Sequence, residues 1–223
     1  CSMLKIWGRP NSIHTQRVLW FCAEAGLEFE LIRASATMGI DGHVSGGGAA
    51  YGVVNTPEYL SMNPNGTIPT IDINGYILWE SNTICRYLAQ TYAPGFFGGD
   101  IETLGHASQW MDWTNTQLEP QLHVLVMQLV RMRKADRAPE VVEQTRLETI
   151  PQLMKLDAHL AAREYVAGEE FTVGDIAPAC AFYRWTLFDL EAPDLPNLDE
   201  WMAHISKRDG FKQHIAPREY HLK

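Results

Sequence analysis

The chain contains Gly8-Arg9-Pro10-Asn11-Ser12-Ile13-His14-Thr15-Gln16-Arg17-Val18 near its start. The apolar residues just before this stretch, Leu4–Trp7, are typical of a β-strand, and Pro10 indicates a turn. From Thr15 onward the apolar spacing is that of a helix. A serine just before a helix is typical of an N-cap, because its hydroxyl can accept a hydrogen bond from an unpaired backbone N–H group. The stretch therefore predicts a strand, a turn and a helix with a hydroxyl group at its N-terminus.

A second pattern, Asn63-Pro64-Asn65-Gly66-Thr67-Ile68-Pro69, predicts a turn followed by a proline that begins a strand. A cis peptide bond between Ile68 and Pro69 suits this setting. It would leave the N–H and C=O of Ile68 open to pair with the backbone of a peptide-like ligand. The alternative is an ordinary proline on an edge strand.

The pair Glu80-Ser81 begins another predicted helix. Ser81 and the N–H groups after it can hold a carboxylate, and Glu80 can hold an ammonium group. The alternative is a plain helix cap beside a solvated glutamate. Together, the three features suit one ligand with a free amino-acid end, an internal amide and a central thiol. Lowering the pKa of that thiol by about two units at the mouth of the Ser12 helix requires roughly 2.7 kcal/mol, which a helix terminus and one hydrogen bond can supply.

Composition limits the classes of function. The 223 residues are 46% hydrophobic, enough for one large domain or two small ones. The net charge of −9 argues against nucleic acid and against an anionic membrane surface as partners. We see no apolar run of the roughly 20 residues that span a bilayer, no secretory signal and no metal-ligand spacing of Cys and His. Cys22, Cys85 and Cys180 lie in apolar helical stretches, which predicts buried reduced thiols and a cytoplasmic location.

The pattern of periodicity changes near residue 100. Short β-rich runs alternate with helices over residues 3–92, which predicts an α/β domain, and residues 93–100 have the Pro and Gly content of a linker. Residues 101–223 have helical periodicity throughout, which predicts an all-α helical domain. Its predicted helices cover residues 101–132, 139–162, 173–188, 198–208 and 210–215. Between the predicted strands, Ala34–Asn55 is rich in glycine and irregular, and we predict a flexible lid there.

These motifs resemble those of the cytosolic glutathione transferases, and the resemblance covers essentially the whole chain. It implies a thioredoxin-like N-terminal domain, an all-helical C-terminal domain, glutathione as cosubstrate without another cofactor, and a homodimer. It implies that Ser12 stabilises the glutathione thiolate, with Asn11 beside it. The remaining implied contacts are with the cysteinyl backbone through Thr67-Ile68-Pro69 and with the γ-glutamyl end through Glu80-Ser81. Phe171–Ala177 resembles the N-capping box of the core helix, which is structural.

The chain departs from the family pattern in two functional positions. Bacterial members similar to the nu class usually have asparagine where this chain has His14, and an imidazole there can act on the sulfur as a cation or as a base. An exposed histidine without a role is the alternative. A basic or amide residue is common where this chain has Thr67, which weakens recognition of the glycyl end. We predict that His43, within the longer Gly-rich stretch, supplies that contact.

The resemblance favours a transferase that activates the glutathione thiolate for attack on a small hydrophobic electrophile. Trp110, Trp113 and Tyr183 are the predicted contacts of this second substrate, although aromatic residues at helical spacing are often core. Two alternatives stay open. One is a glutathione-dependent disulfide reductase, and the other is a non-catalytic protein of the same fold that binds hydrophobic ligands.

Overall fold

The computed structural model describes residues 3–35, 53–97 and 99–217. Contacts divide the chain into two compact units. The first unit holds the described residues up to Tyr92 and those from Asp209 onward, and the second runs from Ala93 to Arg208. The segment after Asp209 was predicted to belong to the helical domain, whereas its contacts group it with the first unit.

The first unit contains a four-stranded sheet. Its strands are β1 (Leu4–Gly8), β2 (Phe29–Arg33), β3 (Thr70–Ile73) and β4 (Tyr76–Trp79). The order across the sheet is β2-β1-β3-β4, with β1 parallel to β2 and antiparallel to β3. Asn74 and Gly75 join β3 to β4 with φ values of 57° and 82°. Two successive residues with positive φ form the hairpin turn whose twist matches that of the strands.

Three helices accompany this sheet among the described residues up to Tyr92. They are α1 (Ile13–Ala25), α2 (Pro57–Met62) and α3 (Ser81–Tyr92). Sequence periodicity predicted α1 and α3 but not α2, which is too short to show a helical period. The capping pattern does mark α2: the Thr56 hydroxyl accepts a hydrogen bond from the Tyr59 N–H at 3.3 Å, and Pro57 occupies the first turn.

The end of β1 approaches α1 unusually closely at Gly8. A Cβ atom on Gly8 would lie 2.5 Å from Oγ1 of Thr15 and 2.6 Å from its Cγ2. Thr15 is fully buried, so it has little space to move away. Only glycine therefore lets β1 end against the first turn of α1, which sets the position of the Ser12 turn.

The second unit is helical. Its helices are α4 (Ile101–Trp113), α5 (Glu119–Val126), α6 (Pro139–Leu160), α7 (Val173–Thr186) and α8 (Pro196–Ile205). The continuous pattern predicted over residues 101–132 is helical to Arg131, with π-helical turns at Thr114–Leu118 and Met127–Arg131. Within the predicted linker, Pro94–Phe97 forms a 3₁₀ turn that groups with this second unit.

Helix α7 lies at the centre of the second unit, and every residue from Val173 to Phe182 is buried. It crosses α4 closely, because a Cβ atom on Gly174 would lie 2.6 Å from the Cα of Ala107. The capping box predicted at its start is confirmed. The Thr172 hydroxyl accepts a hydrogen bond from the helix, and Asp175 Oδ2 accepts one from the Thr172 N–H at 2.9 Å.

The last described helix, α9 (Asp209–His214), packs on α1 within the first unit. The rings of Phe211 and Trp20 meet edge to face with centroids 5.4 Å apart, and both side chains are buried. A Cβ atom on Gly210 would lie 2.6 Å from Cδ1 of Trp20. This packing explains why α9 departs from the predicted domain division: its apolar face is buried by α1. None of the helices in the described part of the chain has the length and apolar character that a membrane span needs.

Candidate functional site

Ser12 caps α1 as predicted. Its backbone is extended, and its hydroxyl accepts a hydrogen bond from the Thr15 N–H at 3.5 Å. This distance is at the upper limit for a hydrogen bond, so the cap is weak. Ser12 is 7% exposed, so its hydroxyl lies at a largely desolvated helix N-terminus. Such an arrangement favours an anion, including a thiolate.

The peptide bond between Ile68 and Pro69 is cis, which confirms the sequence prediction. Among the described residues, none forms a hydrogen bond with the N–H or the C=O of Ile68. The Ile68 side chain packs on a buried cluster of Ala34, Val54 and Tyr59. The side chain therefore anchors this segment while its backbone can pair with a ligand.

Two buried side chains, Tyr59 and Asn63, hold the segment before this proline. The Tyr59 hydroxyl donates to the Thr67 carbonyl at 2.6 Å and lies 2.8 Å from the Thr70 hydroxyl. The Asn63 amide donates to the same two oxygen atoms, at 3.0 and 3.1 Å. Burial raises the pKa of the Tyr59 hydroxyl, which keeps it a neutral donor. Tyr59 was not among the predicted site residues, and the signal that could have found it is the helix-capping pattern Thr56–Tyr59.

Glu80 and Ser81 lie where β4 ends and α3 begins. The Glu80 carbonyl accepts the first hydrogen bond of the helix from the Ile84 N–H at 2.9 Å. Glu80 has φ of 71°, a left-handed conformation that is uncommon for a residue with a side chain. It is exposed, whereas Ser81 and Asn82 are buried. The two predicted partners of an amino-acid end therefore lie at one helix N-terminus, the carboxylate of Glu80 in solvent and the hydroxyl of Ser81 beneath it.

His14 lies beside Ser81. The distance from His14 Nδ1 to Ser81 Oγ is 3.4 Å, and Arg17 Nη1 lies 3.4 Å from the same His14 nitrogen and 3.5 Å from Ser81 Oγ. Arg17 is fully buried and His14 half-buried. Arg17 lies within the first sequence motif, but the sequence pattern predicted no role for it. A cation three residues after His14 on one helix face was the available signal.

The remaining predicted glutathione contacts differ in how far the structure describes them. Asn11 is buried directly before Ser12. Thr67 has its carbonyl bonded to Tyr59 and Asn63, and its hydroxyl accepts from Asn63 at 3.3 Å. His43, together with most of the predicted lid, lies outside the described residues.

The predicted contacts of the second substrate lie in the helical unit. Trp110 and Trp113 stack edge to face with centroids 4.9 Å apart, and the Trp110 ring also lies 4.4 Å from that of His159. Both tryptophans and Tyr183 are half-buried. Their aromatic neighbours Phe182 and Trp185 are buried core residues. Of this aromatic set, Phe182 and Trp185 therefore belong to the core, whereas Trp110, Trp113 and Tyr183 are partly exposed.

The cysteines of the described chain are not candidates for the nucleophile. Cys22, Cys85 and Cys180 are buried thiols outside any disulfide, as predicted. Burial raises the pKa of Cys22 to about 12, so its thiolate is scarce at neutral pH. Nor do the described residues bring three or more His, Cys, Asp or Glu side chains together as a metal site.

Comparisons with known proteins show which family the chain resembles. The glutathione S-transferase N-terminal domain matches residues 11–91, and the glutathione S-transferase C-terminal domain matches residues 119–209. Glutathione S-transferase GstB of Escherichia coli is 33% identical over 95% of this chain and 97% of its own length. Glutathione S-transferase 3 of Zea mays is 29% identical over 96% of this chain and 93% of its own.

A solved structure is similar over nearly the whole chain. It is the theta class glutathione S-transferase of Xanthomonas axonopodis pv. citri with glutathione bound, at a TM-score of 0.86 and 31% identity, covering 97% of this chain and 99% of the other. These matches confirm the fold class, a thioredoxin-like domain followed by a helical domain. The chain therefore belongs to the glutathione S-transferase family of enzymes.

Proposed function

We propose that the protein activates the thiol of glutathione for attack on a small hydrophobic electrophile. The observation that carries this proposal is the position of Ser12: its hydroxyl is 7% exposed at the N-terminus of α1 and only weakly bonded, at 3.5 Å, to the Thr15 N–H. A thiolate placed there receives a hydrogen bond from the hydroxyl and the favourable field of the helix. The Xanthomonas relative, which is solved with glutathione bound, supports glutathione as the source of that thiol.

The proposed reaction is a substitution. The S–H bond of glutathione ionises and its proton passes to solvent. The sulfur lone pair then forms a bond to an electrophilic carbon, and the leaving group, such as a halide, departs with the electrons of its bond. The protein lowers the barrier by holding the thiolate at neutral pH and by binding the electrophile near it. We propose Trp110, Trp113 and Tyr183 for the apolar contacts of the electrophile.

The amino-acid end of glutathione is proposed to bind at the start of α3. Ser81 and the helix N-terminus bind the carboxylate, and Glu80 binds the ammonium group. The open backbone of Ile68 pairs with the cysteinyl unit. His43 stays the proposed contact of the glycyl end. A cytoplasmic location and a role in detoxification belong to the same proposal, since buried thiols suit a reducing compartment.

The test compares two substrates in the unmodified protein. Conjugation of glutathione to chlorodinitrobenzene, an aromatic halide, should be faster than the uncatalysed reaction, and hydroxyethyl disulfide should be reduced slowly or not at all. The opposite preference would favour the disulfide reductase. Binding of an apolar dye without binding of glutathione would favour the non-catalytic alternative and overturn the proposal.

We also propose a homodimer, as the resemblance implies. Tyr76 of β4 is 48% exposed and lies with its ring centroid 4.9 Å from that of Tyr87 of α3. Tyr87 is half-buried, and an aromatic pair with one exposed member is a suitable contact across a two-fold axis, where each protomer presents the same surface. Light scattering at micromolar concentration should give twice the mass of one chain. A monomer mass would overturn this part of the proposal.

A further inference from the structure

Three side chains meet between the start of α1 and the start of α3. Arg17 Nη1 lies 3.4 Å from His14 Nδ1 and 3.5 Å from Ser81 Oγ, and the last two atoms are 3.4 Å apart. The three contacts form a triangle. Arg17 is fully buried beneath it, and Ser81 is 2% exposed. The carbonyl of Arg17 also accepts a long hydrogen bond from the Cys85 thiol of α3, at 3.7 Å, which ties the two helices together.

The chemistry of these groups limits which of them can donate a hydrogen bond. A guanidinium nitrogen only donates, so Arg17 Nη1 can donate to His14 Nδ1 and to Ser81 Oγ. His14 Nδ1 must then accept with its one lone pair, so the ring proton lies on Nε2. Ser81 Oγ accepts from Arg17, and its hydroxyl hydrogen can point to His14 Nδ1 at 3.4 Å or to a bound carboxylate. The buried arginine therefore lets both Ser81 and His14 donate to an anion, beside its own positive charge.

From this triangle we propose that His14 binds the γ-glutamyl carboxylate of glutathione together with Ser81, and that Arg17 is the positioning residue that sets both as donors. The inference rests on the proposed function, in which this carboxylate lies at the start of α3. Two donors, a cation and the N–H groups of a twelve-residue helix meet there. Glu80 beside them is an acceptor for the neighbouring ammonium group. This assignment moves His14 from the thiol, where the sequence analysis placed it, to the amino-acid end.

The test uses two glutathione analogues that each lack one group of the γ-glutamyl end. γ-Aminobutyryl-cysteinylglycine lacks the carboxylate, and glutaryl-cysteinylglycine lacks the ammonium group. Titration calorimetry of the unmodified protein and of His14→Ala gives the affinity for each peptide. We expect His14→Ala to bind glutathione and the glutaryl analogue about tenfold more weakly, which corresponds to about 1.4 kcal/mol. Its affinity for the γ-aminobutyryl analogue should stay unchanged.

The ultraviolet absorbance of the bound thiolate separates binding from thiol chemistry. In His14→Ala the pKa of bound glutathione should equal that of the unmodified protein. A shifted thiol pKa, or an equal loss of affinity for all three peptides, would overturn the inference. His123→Ala, which removes an exposed histidine of α5, is the control for a change of histidine content.

Arg17→Lys and Arg17→Met test the positioning role. Lysine keeps the charge and donors, so it should retain more of the carboxylate-dependent affinity than methionine, which keeps only the bulk. Equal affinities in the two variants would overturn the role of Arg17. Because a buried site can fail to accept either residue, the comparison of the three peptides in the unmodified protein and in His14→Ala stands without these variants. If the unmodified protein binds none of the peptides, the proposed function itself fails.

Discussion

The indole Nε1 of Trp201 donates a hydrogen bond to Asp175 Oδ1 at 3.0 Å and thereby ties α8 to the start of α7. Asp175 is fully buried. Its carboxylate also accepts from the Val166 N–H and the Thr172 N–H, both at 2.9 Å. The Asp175 side chain thus stabilises a helix cap, a loop and a helix–helix contact in the second unit.

We expect Asp175 to give this unit a distinctive pH dependence. Burial raises the pKa of its carboxyl group from an ordinary 3.8 to about 6. Between these two values the folded protein binds a proton that the unfolded chain does not. The contribution of Asp175 to the free energy of unfolding is therefore greatest below about pH 4. It falls as the pH rises through about 6, by up to about 3 kcal/mol.

The measurement is the urea midpoint of unfolding across this pH range for the unmodified protein and for Asp175→Asn, which cannot titrate. The variant should be less stable throughout, because an amide cannot accept as many hydrogen bonds from these donors. The difference in stability between this variant and the unmodified protein should shrink as the pH rises. Asp199→Asn, an exposed change on α8, is the control. A deficit that is constant with pH would contradict the raised pKa.

Ser12→Ala should raise the pKa of the glutathione thiol in the complex. Turnover near neutral pH should fall roughly tenfold to a hundredfold, about 1.4–2.7 kcal/mol, because less of the bound thiol is ionised. Affinity for glutathione should change little, since the proposed contacts at Ile68 and Ser81 remain. Thiolate absorbance reads the pKa, and Ser12→Thr, which keeps a hydroxyl, is the control. An unshifted pKa would mean that the helix N-terminus alone activates the thiol.

Glu80→Gln should weaken glutathione binding about fivefold, or about 1 kcal/mol, because Glu80 is exposed and solvent screens its attraction for an ammonium group. The loss should disappear for glutaryl-cysteinylglycine, which lacks that group. Calorimetric titration of both peptides measures the difference, with Glu30→Gln on β2 as an exposed control. An equal loss for both peptides would place the ammonium group elsewhere.

Gly8→Ala should destabilise the protein by about 1–3 kcal/mol, since its methyl group would lie 2.5 Å from the buried Thr15 Oγ1. Thr15→Ala removes the two nearest atoms, Oγ1 and Cγ2, and leaves only Cβ at 3.1 Å. The double variant should therefore be more stable than the sum of the two single changes predicts. Chemical denaturation of the unmodified protein, the two single variants and the double variant gives the four free energies of unfolding that this double-mutant cycle needs. Additive effects would show that the strain at Gly8 arises from another contact.

Much of the fold could be predicted from the sequence because its signals are local. The helix cap at Ser12, the turn before Pro69 and the capping box of Thr172 and Asp175 each depend on residues a few positions apart. The confirmed elements α1, β3, β4, α3 and α7 all follow such signals or a clear hydrophobic period. Where the period is too short, as in α2, the prediction failed even though the cap was present.

Tertiary structure alone decided which of these local features meet. The sequence does not reveal that Ser81 lies 3.4 Å from His14, 67 residues away, or that a buried arginine lies against both. Nor does it show that α9 returns to pack on Trp20. Helix caps and turns are determined by the energetics of neighbouring residues. Contacts between distant residues depend on how the apolar faces of whole helices are buried together, which no short stretch of sequence contains.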